Sequence, residues 1–206
     1  CLAVSEMVAR EFQRYYRRRE DIHVIYNAVD VPDVSDEQRA DWRQEVRYRL
    51  GVKPDEVVFL TVATNFELKG VAETIVAFAN WHHRRHRGPD GRLVVIGREL
   101  VEGYRRHAGL RDVGSKVLFL PPTEEVFRWF AAADVCVLLS WYDPCSRVVL
   151  EATRWGIPSV TTTYNGAAEA LEDGAGVVVH SPDSTRDVAD TMAALADPEQ
   201  REAFAD

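Results

Sequence analysis

From residue 57 onward, short apolar runs rich in β-branched residues alternate with longer helical patterns. The runs fall at 57–63, 93–96, 117–120, 135–139, 159–163 and 177–180. Helix-compatible stretches occupy 71–83, 98–109, 124–132, the segment between Pro144 and Gly156, and the chain from 185 onward. Apolar runs of this length suit strands covered on both faces. Strand and helix alternating at this spacing predict an α/β fold: a doubly wound, Rossmann-like parallel sheet with helices on both faces. Folds of this kind bind ligands over the carboxyl ends of their strands, so the loops that leave those ends are where chemistry is sought.

The stretch 132–166 is the most informative of these units. Asp143 precedes Pro144 as an N-cap precedes a first-turn proline. The expected helix carries Val148, Val149 and Ala152 on its apolar side and stops near Gly156. Such a start leaves the amides of Cys145, Ser146 and Arg147 free to meet an anion. Asp143 and Glu151, eight residues apart, would lie roughly 12 Å from one another along that helix. This exceeds the roughly 5–9.5 Å of a glycosidase carboxylate pair, which argues against hydrolysis by paired acids. The arrangement suits an extended ligand with hydroxyls at both ends and phosphate between them, as in a nucleotide sugar. The plainer reading is an N-cap aspartate and a solvated helix glutamate.

The segment DPCSRVVLEA resembles the E-x7-E motif of retaining glycosyltransferases of the GT-B fold, with Asp143 in place of the first glutamate. Residues 141–171 are similar to the group 1, family-four branch that includes lipopolysaccharide-core and other UDP-glucose-type glucosyltransferases. YNAVD, residues 26–30, resembles the turn that joins the linker to the donor-binding domain, with Ala28 where glycine is usual. The resemblance implies that residues 1–26 are a linker strand and helix from the junction with a missing N-terminal domain. Residues 27–206 would then be the nucleotide-sugar-binding, C-terminal half of a GT-B enzyme.

The implied reaction moves a hexose, glucose by this resemblance, from a UDP-sugar to a saccharide or lipopolysaccharide-type acceptor, with retention and without metal or other cofactor. Lys69 and Asp143 are the implied catalytic residues: Lys69 meets the leaving diphosphate and Asp143 holds sugar hydroxyls. Leu68 stands where close relatives of this kind often carry arginine. Cys145, Ser146 and Arg147 would face the phosphates, and Glu151 the ribose. Pro122 would stiffen a loop against the base, while Asn65, Gly97 and Gly166 line the donor. The isolated chain is expected to bind donor and transfer little. A non-catalytic nucleotide-binding module on the same scaffold is the alternative.

Composition narrows the remaining classes. The 206 residues carry a net charge of −8, which offers no general basic field for a nucleic acid. Three cysteines, an odd number without metal spacing, argue against a disulfide framework and for a reducing, cytoplasmic setting. No apolar run approaches the roughly 18 residues of a membrane span. Arg10, Arg14, Arg17, Arg18 and Arg19, with Phe12, Tyr15 and Tyr16 among them, read either as a solvated helix face or as a peripheral contact with the inner face of a membrane. His82 and His86 have the spacing of a helical metal pair, but no third ligand stands near and arginines flank them, so a positively charged helix end is expected instead.

Overall fold

The computed structural model describes residues 1–17, 20–85, 88–171 and 174–204. The chain opens with β1 (Leu2–Ala3), α1 (Glu6–Tyr16) and β2 (His23–Val24), whose two strands pair in parallel apart from the main sheet. Helix α2 (Asp36–Leu50) follows, capped by Ser35 and closed by Gly51 in the left-handed conformation. Then come β3 (Val57–Thr64), α3 (Val71–Arg84), β4 (Gly91–Arg98), α4 (Glu102–Gly109), β5 (Val117–Leu120) and α5 (Val126–Ala132). The second half runs β6 (Val135–Leu138), α6 (Arg147–Arg154), β7 (Ser159–Thr162), a 3-10 turn (Gly166–Leu171), β8 (Gly176–Val179), α7 (Thr185–Ala196) and α8 (Pro198–Glu202).

Six strands form one parallel sheet in the order β5-β4-β3-β6-β7-β8. Alternation along the strands builds a core on each face. Phe59, Leu93, Val95 and Val137 pack with Phe78 and Trp81 of α3 on one side. Val58, Leu60, Val94, Ile96 and Cys136 pack with Phe130 and Trp155 on the other. Strands β3 to β6 therefore each send apolar residues to both faces, whereas β7 gives only Val160 to a core and buries Ser159, Thr161 and Thr162 beside it.

Buried Asp134, at the amino end of β6, ties the second layer together. Its carboxylate accepts from the Val58 amide at 2.7 Å, from Arg43 at 2.6 Å and from Arg47 at 3.1 Å, so α2 is bolted across β3 and β6. A buried carboxylate is tolerable because all three partners are present.

Several boundaries differ from the sequence reading. Helix α1 ends at Tyr16 with Arg17 in the left-handed region, φ 53°, rather than continuing through 19; Arg18 and Arg19 lie outside the described residues. Strand β4 runs through Arg98, so Gly97 sits within a strand and not in a loop. Helix α5 begins at Val126 rather than at 124, and Thr123 Oγ1 accepts from the Glu125 amide at 3.0 Å in the turn before it. Helix α6 starts at Arg147, not at Pro144. Its cap is Ser146, whose Oγ accepts from Val149 N at 3.5 Å. His82 lies 3.6 Å from Asp90 and accepts from Arg85, and its partner in the supposed metal pair, His86, falls outside the described residues.

Candidate functional site

The sheet order reverses between β3 and β6: the chain winds outward through β4 and β5, then returns to place β6 on the other side of β3. The helices that follow these two strands leave in opposite directions, and a crevice opens between the loops. A cavity of ≈ 270 Å³ sits there. Val62, Ala63 and Thr64 end β3 at its floor, with Ile96 and Gly97 from β4 and Leu138 from β6. Its walls come from Lys69, Pro122, Thr123 and the run from Asp143 through Arg147 to Val148.

Seven residues singled out in the sequence meet at this one cavity: Lys69, Gly97, Pro122, Asp143, Cys145, Ser146 and Arg147. Lys69 Nζ lies 2.6 Å from Asp143 Oδ2, with both side chains largely buried. The loop that carries Lys69 is held by Asn65, which adopts φ 58° and accepts the Leu68 amide on its side chain at 3.1 Å. Gly70, at φ 63°, then turns the chain into α3. A Cβ there would stand 2.0 Å from the Leu139 carbonyl oxygen, so both the conformation and the close approach require glycine.

Asp143 does not cap α6. The carboxylate is engaged by Lys69, while Oδ1 accepts from Cys145 N at 3.3 Å. Two of the amides expected to be free are therefore taken: Cys145 N by Asp143, and Ser146 N by Asn165 Oδ1 at 3.2 Å. The amides left open lie one step further along the chain. Among the described residues, no protein acceptor meets the amides of Arg147 and Val148 at the start of α6.

Three predicted residues, Asn65, Gly166 and Glu151, do not line the cavity. Asn65 borders a neighbouring hollow with Glu67, Glu73, Tyr104 and Trp141. Gly166 is buried, and a Cβ on it would lie 2.0 Å from Pro144 O and 2.3 Å from Ser5 Oγ, so its smallness serves backbone packing under the loop. Gly97 touches the cavity, yet its Cβ would meet Ala63 O at 1.9 Å; the neighbouring strand, rather than a ligand, excludes a side chain there. Glu151 lies on α6 with its carboxylate largely buried and 3.7 Å from Arg147. Burial pushes its carboxyl pKa up, against the weaker downward pull of Arg147.

Asn165, next to Gly166, does more than turn the chain. Almost fully buried, it accepts from Ser146 and Ala167 amides and donates to Thr161 Oγ1 at 2.9 Å. It fixes the loop after β7 to the loop before α6. The first segment of the chain also reaches this loop, through Ser5 and through Asn27 of the YNAVD turn. Ser5 announces itself as a helix cap, but nothing in the sequence says what its hydroxyl donates to. No group of three or more His, Cys, Asp and Glu among the described residues could hold a metal ion.

A sequence profile described as "Glycosyl transferases group 1" matches residues 43–206. The lipopolysaccharide glucosyltransferase WaaG of Escherichia coli K12 is 28% identical over 184 residues, covering 88% of this chain and 48% of that protein. A D-inositol 3-phosphate glycosyltransferase of Xylanimonas cellulosilytica is 32% identical over 219 residues, covering 97% of this chain and 49% of its own length. The chain thus spans about half the length of these curated relatives. The crystal structure of WaaG superposes with a TM-score of 0.82 at 24% identity, over 99% of this chain and 55% of that one. Anabaena Alr3699/HepE, solved in complex with UDP and glucose, gives 0.83 at 23% identity over the same shares, 99% and 55%. These likenesses identify the sheet and its helices as the GT-B, Rossmann-like arrangement.

Proposed function

Because the chain belongs to the group 1 glycosyl transferases, we propose that it is the donor-binding part of a retaining hexosyltransferase that uses a UDP-sugar, UDP-glucose first among them. The observation that carries this reading is the Lys69–Asp143 pair, held at 2.6 Å on the wall of the cavity at the sheet's switch point. One cation and one acceptor stand together where a phosphate and a sugar adjoin in a nucleotide sugar. The structures of HepE with UDP and glucose, and with UDP-glucose, lend the donor class to the proposal.

The residues then divide the work. The bond between the anomeric carbon and the β-phosphate oxygen breaks, and its electron pair stays with the departing UDP. Negative charge grows on that phosphate as the bond lengthens, and Lys69 and the Arg147 and Val148 amides face it. An interaction that strengthens with the developing charge lowers the barrier more than it tightens ground-state binding. Asp143, already oriented by Lys69 and by the Cys145 amide, accepts hydrogen bonds from sugar hydroxyls. Glu151 takes the ribose hydroxyls. The acceptor hydroxyl supplies the oxygen of the new glycosidic bond, and its proton passes to the departing diphosphate oxygen. The saccharide or lipopolysaccharide-type acceptor meets surfaces contributed largely by the remainder of a longer enzyme, and any membrane contact is peripheral. Neither a metal nor another cofactor enters this scheme, since the cationic side chain and the amides supply the charge at the phosphate.

The test is the anomeric configuration of the product. Full-length protein given UDP-glucose and a saccharide acceptor should yield an α-linked glucose by proton NMR. A β-linked product would overturn retention, and a sugar taken only from another nucleotide would overturn the donor.

A further inference from the structure

The loop that carries Asp143 is anchored from outside the sheet. Ser5, fully buried, donates its hydroxyl to the Pro144 carbonyl at 2.7 Å while accepting from Val8 N as the cap of α1. Asn27 donates through Nδ2 to the Cys145 carbonyl at 2.8 Å. These two carbonyls belong to the peptides that carry the Cys145 and Ser146 amides, the first of which holds Asp143 Oδ1 and the second Asn165 Oδ1. Glu169, in the turn beyond Gly166, accepts from the amides of Glu6 and Met7 at 2.9 and 2.8 Å and from Tyr26 Oη at 2.9 Å. Glu11 accepts from Tyr142 Oη at 2.7 Å. So the segment around α1 and the turn after β2 grip the loop at Tyr142, Pro144 and Cys145, and also hold the turn beyond β7 through Glu169.

The peptide geometry gives these contacts a direction. Pinning the oxygens of Pro144 and Cys145 toward residues 5 and 27 fixes the planes of the two peptides leading into α6. Asp143 N is held by Tyr164 O at 2.9 Å and Ser146 N by Asn165, so the run 143–146 has little freedom left. Both anchors lie outside residues 43–206, the region that the family profile matches.

We propose that Ser5 and Asn27 are positioning residues for the donor: they hold the Pro144 and Cys145 carbonyls so that the amides at the start of α6 and the Asp143 carboxylate face the cavity together. The inference rests on the nucleotide-sugar reading of that cavity. It makes the affinity for a nucleoside diphosphate depend on where the first thirty or so residues sit, although none of them lines the site. Displacing the α1 segment frees two carbonyls, and the loop relaxes.

The experiment compares UDP binding by calorimetry with thermal melting, in the full-length protein. Asn27→Ala and Asn27→Asp remove the amide donor without touching a helix cap. Ser5→Ala removes a cap as well, so Ser35→Ala, which removes the matching cap of α2 far from the cavity, is its control. The expected result is a loss of UDP affinity of about three- to tenfold for the Asn27 variants and for Ser5→Ala, the size of one or two net hydrogen bonds. Ser35→Ala should lower the melting temperature and leave UDP affinity alone. Unchanged UDP affinity in folded Asn27 variants overturns the inference, and so does a Ser5→Ala that behaves like Ser35→Ala. Should Ser5→Ala not fold, the two Asn27 variants decide alone. Unmutated protein that binds no UDP overturns the nucleotide reading itself and this inference with it.

Discussion

Lys69 Nζ and Asp143 Oδ2 stand 2.6 Å apart, joining the loop after β3 to the loop before α6 across the point where the sheet reverses its winding. Both side chains are largely buried, so each is the other's principal electrostatic partner. The pair keeps a cation on the cavity wall without leaving it uncompensated. Its catalytic weight and its structural weight can be separated.

Replacing Lys69 by methionine leaves a carboxylate without its counter-ion in a nearly dry site. The loss of stability should approach about 3 kcal/mol, the lower end for breaking a buried pair, whereas Lys69→Met combined with Asp143→Asn should recover most of it. Urea denaturation of the two single variants and the double variant checks this through the coupling energy.

Activity should respond differently. In the full-length enzyme, Lys69→Ala should lower kcat and kcat/KM together with KM for the donor nearly flat, because the charge that lysine meets grows only as the bond breaks. Leu68 supplies no second cation beside it. Steady-state kinetics with a saturating acceptor decide the matter, and a raised KM at constant kcat would reduce Lys69 to a donor-holding residue.

Glu151 predicts a pH dependence with a definite sign. Its folded-state carboxyl pKa is raised by burial. As pH rises past the unfolded value of about 4.3, the unfolded chain releases its proton first. Folding stability therefore falls through the window up to the raised folded pKa. Glu151→Gln should melt higher than the unmutated chain at pH 7, and this advantage should vanish near pH 4. Melting curves at the two pH values test it.

Gly97 separates packing from ligand approach. A Cβ there meets the Ala63 carbonyl oxygen at 1.9 Å, while nothing lies within 4 Å of a Cβ on Gly103. Gly97→Ala should cost about 1–3 kcal/mol through overpacking. Gly103→Ala, within α4, should gain about 0.5–1 kcal/mol from helix propensity. Chemical denaturation of the two variants gives both signs in one assay.

The sheet was legible because β3 to β6 have two apolar faces, and a run such as Val57–Ala63 leaves few alternatives. The seven cavity residues were legible because the family resemblance named them, on loops that folds of this kind place at strand ends. The start of α6 was not. Asp143-Pro144 carries the local signature of a helix start, but Lys69, seventy-four residues earlier, claims the aspartate, and Ser146 takes the cap. Gly97 and Gly166 misled in a related way: the sequence shows that a side chain is excluded but not what excludes it. Two backbones do so, Ala63 and Pro144, each far away in the chain. The role of Ser5 depends wholly on a partner 139 residues distant, which no local pattern encodes.

The central claim is that the crevice between β3 and β6 binds UDP, with Glu151 on the ribose. Calorimetric titration of UDP into the chain, beside the same titration of folded Glu151→Ala, tests it most directly. The account predicts single-site binding that favours UDP over ADP and GDP, weakened in the variant by about 1.5–3 kcal/mol, the range for hydrogen bonds to a charged group. No heat with UDP, or equal affinity in the two proteins, would contradict it.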